Sequence, residues 1–160
     1  MIHVLFVCLG NICRSPMAEA IFRHKVRENG LDEKIEVDSA GTGDWHIGKE
    51  PHEGTRQLLS EKGISYAGMV ARQVRDRDVQ QFDYIIAMDQ DNLQSLQRLA
   101  SEDRGNHSPA IARLLDFIPS PAVRDVPDPY YTGNFDEVYE LVEEGCEKLL
   151  THIREQHNLS

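Results

Sequence analysis

The chain has 160 residues, 40% of them hydrophobic and 28% charged, which are the proportions of a single soluble globular domain. Its formal net charge of −10 argues against nucleic acid or anionic membranes as partners, because both are held largely by Lys and Arg. Apolar runs stay far below the ~20 residues of a membrane helix, and the start of the chain lacks a basic leader and a cleavage site. We therefore expect one domain over residues 1–160, located in the cytoplasm.

The three cysteines do not form the disulfide framework of a small secreted protein, since only Cys8 and Cys13 are close in sequence. We interpret all three as reduced thiols, with Cys146 packed in the apolar stripe of a helix. The histidines show no pair at metal-ligand spacing, and Cys8 and Cys13 alone cannot complete a tetrahedral zinc site. The sequence therefore predicts no metal.

The first predicted elements are a strand over residues 3–7, a loop and a helix. The strand is a continuous apolar run, which is typical of a strand buried on both faces of a parallel sheet. Ser15 followed by Pro16 predicts an N-cap with proline at the first helical position, and the apolar stripe of this helix ends before Gly30.

The alternation of strand and helix then repeats. A short strand is predicted over residues 35–37 and a helix over residues 51–62. The run at residues 82–88 is the clearest later strand, with Asp89 as the N-cap of a following helix, and residues 111–115 form a candidate fourth strand.

The last third of the chain contains two predicted loops and one long helix. Residues 101–109 are polar, and residues 119–129 carry four prolines that disfavour regular structure. Apolar residues at helical spacing predict a terminal helix over residues 135–153. Alternating strands and helices imply an open, mostly parallel α/β sheet, whose ligands bind beyond the carboxyl ends of the strands. The segment after the first strand, residues 8–15, is therefore the candidate site.

That segment has the composition of an oxyanion site with a thiol at its base. Gly10 and Asn11 bend the backbone ahead of a helix N-terminus, so its amides can cradle a tetrahedral anion. Arg14 can add a two-pronged contact to phosphate oxygens. The amides, Arg14 and the Ser15 hydroxyl all favour the thiolate form of Cys8. On the Cys-to-Arg spacing alone, Cys8 would more often be a packed core cysteine. Here the neighbouring residues all favour the same anion-binding loop, so the functional interpretation is preferred.

Residues 7–16, Val-Cys-Leu-Gly-Asn-Ile-Cys-Arg-Ser-Pro, resemble the signature of the low-molecular-weight protein-tyrosine phosphatases, and above all of bacterial members. Residues 38–42, 71–73, 82–89 and 128–131 agree in order and spacing, so the resemblance spans essentially the whole chain. It implies a single three-layer α/β domain, with a four-stranded parallel sheet flanked by helices in the flavodoxin-like phosphotyrosine phosphatase I fold.

The resemblance also implies the catalytic residues. Cys8 is then the nucleophile, Arg14 the phosphate clamp and transition-state stabiliser, and Asp128 the general acid. The residues alone favour a carboxyl group on the Pro-rich loop as the general acid, but they do not identify which one. An Asp-Pro pair is also common in ordinary turns. Asp125 is the rival acid.

The family resemblance further assigns substrate-binding and supporting roles. The substrate-binding set is Leu9, Gly10, Asn11, Ile12, Cys13, Ser15, Trp45, Tyr130 and Tyr131. Its aromatic members would sandwich a phosphorylated ring. Asn11, in a left-handed conformation, and Ser39 would brace the loop, although both also fit as plain turn residues. Independently of the family, two thiols in one tightly curved loop predict that Cys13 is the redox partner of Cys8, the alternative being a packed thiol.

The implied reaction is hydrolysis of phosphotyrosine in proteins, and of small aryl phosphates, through a phosphocysteine that water cleaves to inorganic phosphate without a cofactor. Three alternatives remain open. A thiol-dependent arsenate reductase of similar fold needs two more cysteines on a mobile segment. A phosphoarginine phosphatase of this fold carries Thr at the position of Ile12. A phosphoryl carrier or phosphotyrosine reader would not use both Arg14 and Asp128.

Overall fold

The computed structural model describes residues 1–102, 105, 107–119 and 123–159. In these residues four parallel strands form one sheet in the order β2-β1-β3-β4. The strands are β1 Ile2–Cys8, β2 Ile35–Gly41, β3 Tyr84–Ala87 and β4 Ala110–Arg113. The predicted four-stranded parallel sheet with flanking helices is confirmed.

Helices connect the strands and cover both faces of the sheet. They are α1 Arg14–Glu28, α2 Glu53–Glu61, α3 Asp76–Gln81, α4 Gln90–Glu102, α5 Pro129–Thr132 and α6 Phe135–Gln156, with a short 3-10 helix at Leu114–Phe117. No helix in the described ranges is both long and apolar enough to span a membrane.

The side chains of β1 alternate between two cores, because successive residues of a strand point to opposite faces. Phe6 is fully buried in the larger core, with residues of α1 and α6. Leu5 is fully buried in the smaller one, with Ile85 of β3 and Leu96 of α4. A strand buried on both faces explains the continuous apolar run in the sequence.

The strand order places the β1–α1 loop at the switch in chain direction. From β1 the chain crosses to β2 on one side, and from β2 it crosses back to β3 on the other. Such a reversal opens a crevice at the carboxyl ends of the two central strands, where open α/β sheets bind their ligands. Residues 9–13 leave β1 at this point.

Two predicted boundaries near this crevice are wrong. Helix α1 begins at Arg14, so Cys13 rather than Ser15 occupies the N-cap position. The Ser15 hydroxyl contacts Cys8 Sγ and Asn11 Nδ2, which takes it away from the capping role. The second strand extends to Gly41, beyond the predicted 35–37, because pairing with β1 continues as far as Cys8.

Other differences lie in the second half of the chain. Helix α3 was not predicted; its first turn is held by the Asp78 carboxylate, which accepts from the Arg75 amide. The candidate strand 111–115 is shifted to 110–113 and followed by the 3-10 helix. The polar segment 101–109 begins inside α4, with 103, 104 and 106 outside the described residues. The Pro-rich segment 119–129 ends at the start of α5, with 120–122 likewise outside them.

Candidate active site

The loop from Leu9 to Cys13 curves tightly between β1 and α1. Asn11 adopts φ 57°, the left-handed conformation expected for it. Neighbouring groups hold the loop carbonyls from outside: Thr42 N donates to Cys8 O at 2.9 Å, Gly43 N to Leu9 O at 2.9 Å and His52 N to Ile12 O at 2.6 Å. Outward carbonyls are what a ring of inward-facing amides requires, and such a ring binds anions.

Gly41 allows β2 to lie directly against this loop. A Cβ atom at Gly41 would stand 2.9 Å from Leu9 O and 3.1 Å from Asn11 Cβ. Backbone cannot yield as a flexible side chain does, so a larger residue would displace the loop.

Cys8 lies at the base of the loop, buried, with two polar groups on its sulfur. Asn11 N donates to Cys8 Sγ at 3.3 Å, and Ser15 Oγ lies 3.0 Å from it. Hydrogen bonds to sulfur and a nearby helix N-terminus both stabilise a thiolate. The structure thus places a thiol with polar contacts at the base of the loop, among the residues that line a cleft.

Arg14 is 3% exposed and connects three segments. Its Nη1 donates to Asp89 Oδ2 at 2.6 Å and to Val126 O at 3.0 Å, and its Nη2 lies 3.4 Å from Asp128 Oδ2. Burial lowers the pKa of Arg14, but the negative charges of Cys8, Asp89 and Asp128 outweigh it and raise that pKa. The guanidinium therefore stays charged and fixed beside the loop.

Asp128 and Asp125 have separate surroundings. Asp128 Oδ1 accepts from Tyr130 N at 3.1 Å and so caps α5, while the other oxygen faces Arg14. Asp125 Oδ1 accepts from Gln90 N at 3.0 Å, at the start of α4, and contacts Arg113 at 3.4 Å. Asp128 lines the cleft above Cys8, and Asp125 is not among the cleft-lining residues.

An open cleft of about 440 Å³ leads to Cys8. It is lined by the predicted Leu9, Gly10, Ile12, Cys13, Arg14, Trp45, Asp128, Tyr130 and Tyr131, and by His46. Trp45 is 64% exposed, so it is a rim residue and not a core tryptophan. Its ring covers Gly43, where an added Cβ would meet the ring at 1.8 Å. An apolar, aromatic cleft of this kind fits a planar ring attached to the phosphate.

Asn11 and Ser15 lie behind the loop and not on the cleft surface. Asn11 Nδ2 donates to Ser15 Oγ at 2.8 Å and to Ser39 Oγ at 3.0 Å, and its Oδ1 accepts from Arg72 N at 3.0 Å. Their side chains hold the loop, as expected for the Asn11 and Ser39 pair. Of the two, Asn11 still presents its backbone amide to Cys8.

Cys13 lines the same cleft as Cys8 and is also buried. Burial, followed by the charges of Cys8 and Asp128, raises the pKa of Cys13 to about 12. Cys13 therefore remains a neutral thiol at physiological pH.

Three contributors were missed by the sequence analysis. His46 lies against Gly10, its Cδ2 3.0 Å from where a Cβ would stand. His52 stacks on Phe135 and meets the edge of Tyr130, with ring centroids 5.2 and 5.9 Å away. Asp89 was predicted only as a helix cap; it does accept from Asn92 N, yet it also holds Arg14. Asp89 follows the end of β3, which lies next to β1 in the sheet. This position after a predicted strand was the signal in the sequence that could have placed Asp89 near the β1–α1 loop.

Comparisons with known proteins agree with this geometry. The model of the low molecular weight phosphotyrosine protein phosphatase family matches residues 3–159. The low molecular weight protein-tyrosine-phosphatase YfkJ of Bacillus subtilis is 57% identical over 99% of this chain and 100% of its own length. Its crystal structure superposes with a TM-score of 0.92 over 98% of this chain and 96% of that chain.

More distant relatives also match nearly the whole chain. The low molecular weight protein-tyrosine-phosphatase PtpA of Staphylococcus epidermidis is 46% identical over 99% of this chain and 98% of its own. A drosophila arginine phosphatase, 38% identical, superposes with a TM-score of 0.89 over 94% of this chain and 97% of that chain. The chain belongs to the low molecular weight phosphotyrosine protein phosphatase family.

Proposed function

We propose that the protein hydrolyses phosphotyrosine in phosphoproteins with Cys8 as nucleophile, Arg14 as phosphate clamp and Asp128 as general acid. The observation that carries this assignment is the cleft that joins all three side chains, with Cys8 Sγ at its base and Asp128 on its wall. Membership of the phosphatase family supports the reaction class.

In the first step, Cys8 Sγ attacks phosphorus and the bond from phosphorus to the phenolic oxygen breaks. Asp128 gives its proton to the leaving oxygen, and a phosphocysteine forms. The loop amides and Arg14 hold the equatorial oxygens, over which the charge of the transferring phosphoryl group is spread in the transition state.

In the second step, water attacks the phosphocysteine. Asp128, now ionised, takes a proton from this water, the bond from phosphorus to sulfur breaks, and Cys8 leaves as thiolate. The products are tyrosine and inorganic phosphate, so the cycle is complete without a cofactor.

Neither redox chemistry nor simple phosphate binding fits as well. The third thiol, Cys146, is fully buried in α6 with its Sγ 3.8 Å from Ala18 O, so it is poorly placed to relay electrons to Cys8 as an arsenate reductase requires. A carrier or reader would have no use for Asp128 on the cleft wall. Free thiols at Cys8 and Cys13 favour a reducing compartment, so we propose the cytoplasm.

We also propose that the chain forms a single domain and that its partners are phosphoproteins. The family match over residues 3–159 supports one domain. The net charge of −10 supports a partner other than nucleic acid.

Phosphoarginine is the competing substrate, since one relative is an arginine phosphatase. Ile12 presents an apolar side chain to the cleft, and this surface favours a phenyl ring over a polar guanidinium. Cys8 is 3% exposed at the base of the cleft, so we expect the shorter phosphoserine to reach it less readily.

Matched peptides carrying phosphotyrosine, phosphoserine or phosphoarginine test the substrate class. We expect kcat/KM to be greatest for phosphotyrosine by at least about tenfold, and Ile12→Thr to raise phosphoarginine hydrolysis. Cys8→Ser is the inactive control. A preference of the unmodified protein for phosphoarginine would overturn the substrate assignment.

A further inference from the structure

Tyr130, one aromatic wall of the cleft, has little support from its own segment. It lies on α5, a helix of four residues, and is 53% exposed. Its ring has three aromatic neighbours, with centroids 5.3 Å away for Tyr131, 5.9 Å for His52 and 6.4 Å for His46. Tyr131 follows it in the chain and is 76% exposed. The orientation of the Tyr130 ring therefore depends on neighbours outside α5.

The two histidines beside Tyr130 have different surroundings. His46 lines the cleft itself, and its Nδ1 lies 3.3 Å from the exposed Lys49 ammonium. Among the described residues that line the cleft, His46 is present and His52 is not. His52 can therefore act on a bound ligand through Tyr130, without touching the ligand.

Three contacts fix the position of His52. Its backbone amide donates to Ile12 O of the β1–α1 loop at 2.6 Å. Its Nδ1 accepts from Gly54 N at 3.0 Å, which caps α2 and leaves the proton of the neutral ring on Nε2. Its ring stacks on Phe135, with the centroids 5.2 Å apart and the planes at 22°. The ring is thus held from its backbone, its edge and its face.

Phe135 supplies a well-packed surface behind His52. It is the first residue of α6 and packs against a cluster that includes Ile12 and Cys13 of the loop. A Cβ at Gly54 would stand 2.5 Å from the Phe135 ring, so the backbone of α2 lies directly on that ring. The stack of His52 on Phe135 therefore connects the loop, α2 and α6.

We propose that His52 is a positioning residue, whose ring holds Tyr130 in the wall of the cleft and so strengthens the binding of an aromatic ring attached to the phosphate. The His52 and Tyr130 rings stand at 77°, a favourable edge-to-face arrangement. Without the His52 ring, Tyr130 would lose its rotamer freedom only when the ligand binds, and the affinity for the ligand ring would fall. The affinity of the loop for the phosphate group itself would not change.

The test compares phenylphosphonate with methylphosphonate, neither of which an esterase reaction can cleave and which differ in the presence of a ring. Trp45 is the single tryptophan of the chain and lines the cleft, so its fluorescence can report the binding of both ligands to the full-length protein. The measured quantity is the ratio of the methylphosphonate Kd to the phenylphosphonate Kd, in which effects on the phosphonate group cancel.

His52→Asn removes the ring and keeps the cap, since an Asn oxygen can accept from Gly54 N. We expect the ratio to fall about fivefold, the size of one aromatic contact and one side chain left to be ordered. The Kd of methylphosphonate should stay within about twofold of that of the unmodified protein. A disturbed loop would instead weaken both ligands alike.

Two further variants separate the ring from the cap. His52→Phe keeps a ring on Phe135 but cannot accept from Gly54 N, and it should retain the ratio to within about twofold. Phe135→Leu removes the ring beneath His52 and should lower the ratio, which also covers the case of an unfolded His52→Asn. In a Tyr130→Ala background, His52→Asn should change the ratio by less than about twofold, because residues acting through one another are not additive.

His152→Asn is the matched control. His152 also meets a tyrosine at a right angle, with its ring centroid 6.2 Å from that of Tyr84 and the planes at 89°. Tyr84 is the first residue of β3, at the end of the strand opposite the cleft. The ratio for His152→Asn should match that of the unmodified protein.

Four results would each overturn the proposal. They are an unchanged ratio in His52→Asn or Phe135→Leu, an equal fall in His52→Phe, an equal effect of His52→Asn in the Tyr130→Ala background, and the same fall in His152→Asn.

The inference rests on the proposed function, because it takes the cleft to be the site of the phosphorylated ring, but the test does not need turnover. A ratio that depends on His52 in a protein without phosphatase activity would contradict the proposed function and leave the role of His52 intact. Phosphatase activity with a ratio independent of His52 would do the reverse.

Discussion

Arg14 shows how one side chain can organise a site made of distant segments. Its guanidinium binds Asp89 after β3, the Val126 carbonyl and Asp128 ahead of α5. It thereby orients the Pro-rich segment that carries the proposed acid. Lysine has no planar fork with which to make these contacts and still bind phosphate oxygens.

The two acidic candidates on that segment can be separated by leaving group. Asp128→Asn should lower kcat/KM, which reports the first chemical step, for aryl phosphates with poor leaving groups by about 10²-fold or more, and much less for p-nitrophenyl phosphate, because only the poor leaving groups need a proton. The Asp125→Asn control should behave alike on both substrates, since Asp125 binds Gln90 N and Arg113. The opposite pattern, with Asp125→Asn selective and Asp128→Asn not, would refute the assignment of the acid.

Cys13 is predicted to protect Cys8 from irreversible oxidation. A raised pKa of about 12 keeps Cys13 protonated near pH 7, so peroxide should attack Cys8 first. The resulting sulfenic acid can then condense with Cys13 into a disulfide that dithiothreitol reduces. After a peroxide pulse at pH 7 and dithiothreitol, activity should recover more fully in the unmodified protein than in Cys13→Ser. Equal recovery would show that Cys13 only packs.

Hydrophobic patterns predicted the strands and the long helices. Strand β1 is buried on both faces and therefore reads as a continuous apolar run, while α6 is buried on one face and therefore has an apolar stripe. These patterns failed at the α1 start, where Ser15 has the side chain of an N-cap but contacts Cys8 and Asn11 instead. Short α3 carries too few apolar residues for a periodic signal. The Asp78 cap that supports it also holds Arg72, a partner that local sequence does not show.

The packing of α6 on the 3-10 helix gives a prediction about stability. A Cβ at Gly145 would stand 2.6 Å from Leu114 Cγ, and Leu114 is fully buried. Overpacking costs about 1–3 kcal/mol, against a gain of about 1 kcal/mol in helix propensity. Gly145→Ala should therefore lower the free energy of unfolding in a urea titration. Glu144→Ala, on the exposed face, should change it by less than about 0.5 kcal/mol; a Gly145→Ala protein as stable as that control would contradict the packing.

At the scale of the whole molecule, the alternation of elements and the loop after β1 predicted the sheet and the place of the site. What the residues alone could not supply were contacts between segments far apart in sequence. Asp89 and Asp128 are separated from Arg14 by 75 and 114 positions, and His46 enters the cleft from a rim loop. Such partners become visible only when the strand order brings the loops together.

If Cys8 carries the phosphoryl group during turnover, covalent trapping should find it on the Cys8 sulfur. The protein is mixed with p-nitrophenyl phosphate, whose leaving group needs no proton from Asp128, quenched in acid within the first turnover, and its peptides are analysed by mass spectrometry. We expect a phosphoryl group on Cys8, more of it in Asp128→Asn, where the water of the second step lacks its base, and none in Cys8→Ser. A phosphoryl group on another residue, or turnover that persists in Cys8→Ser, would contradict the account.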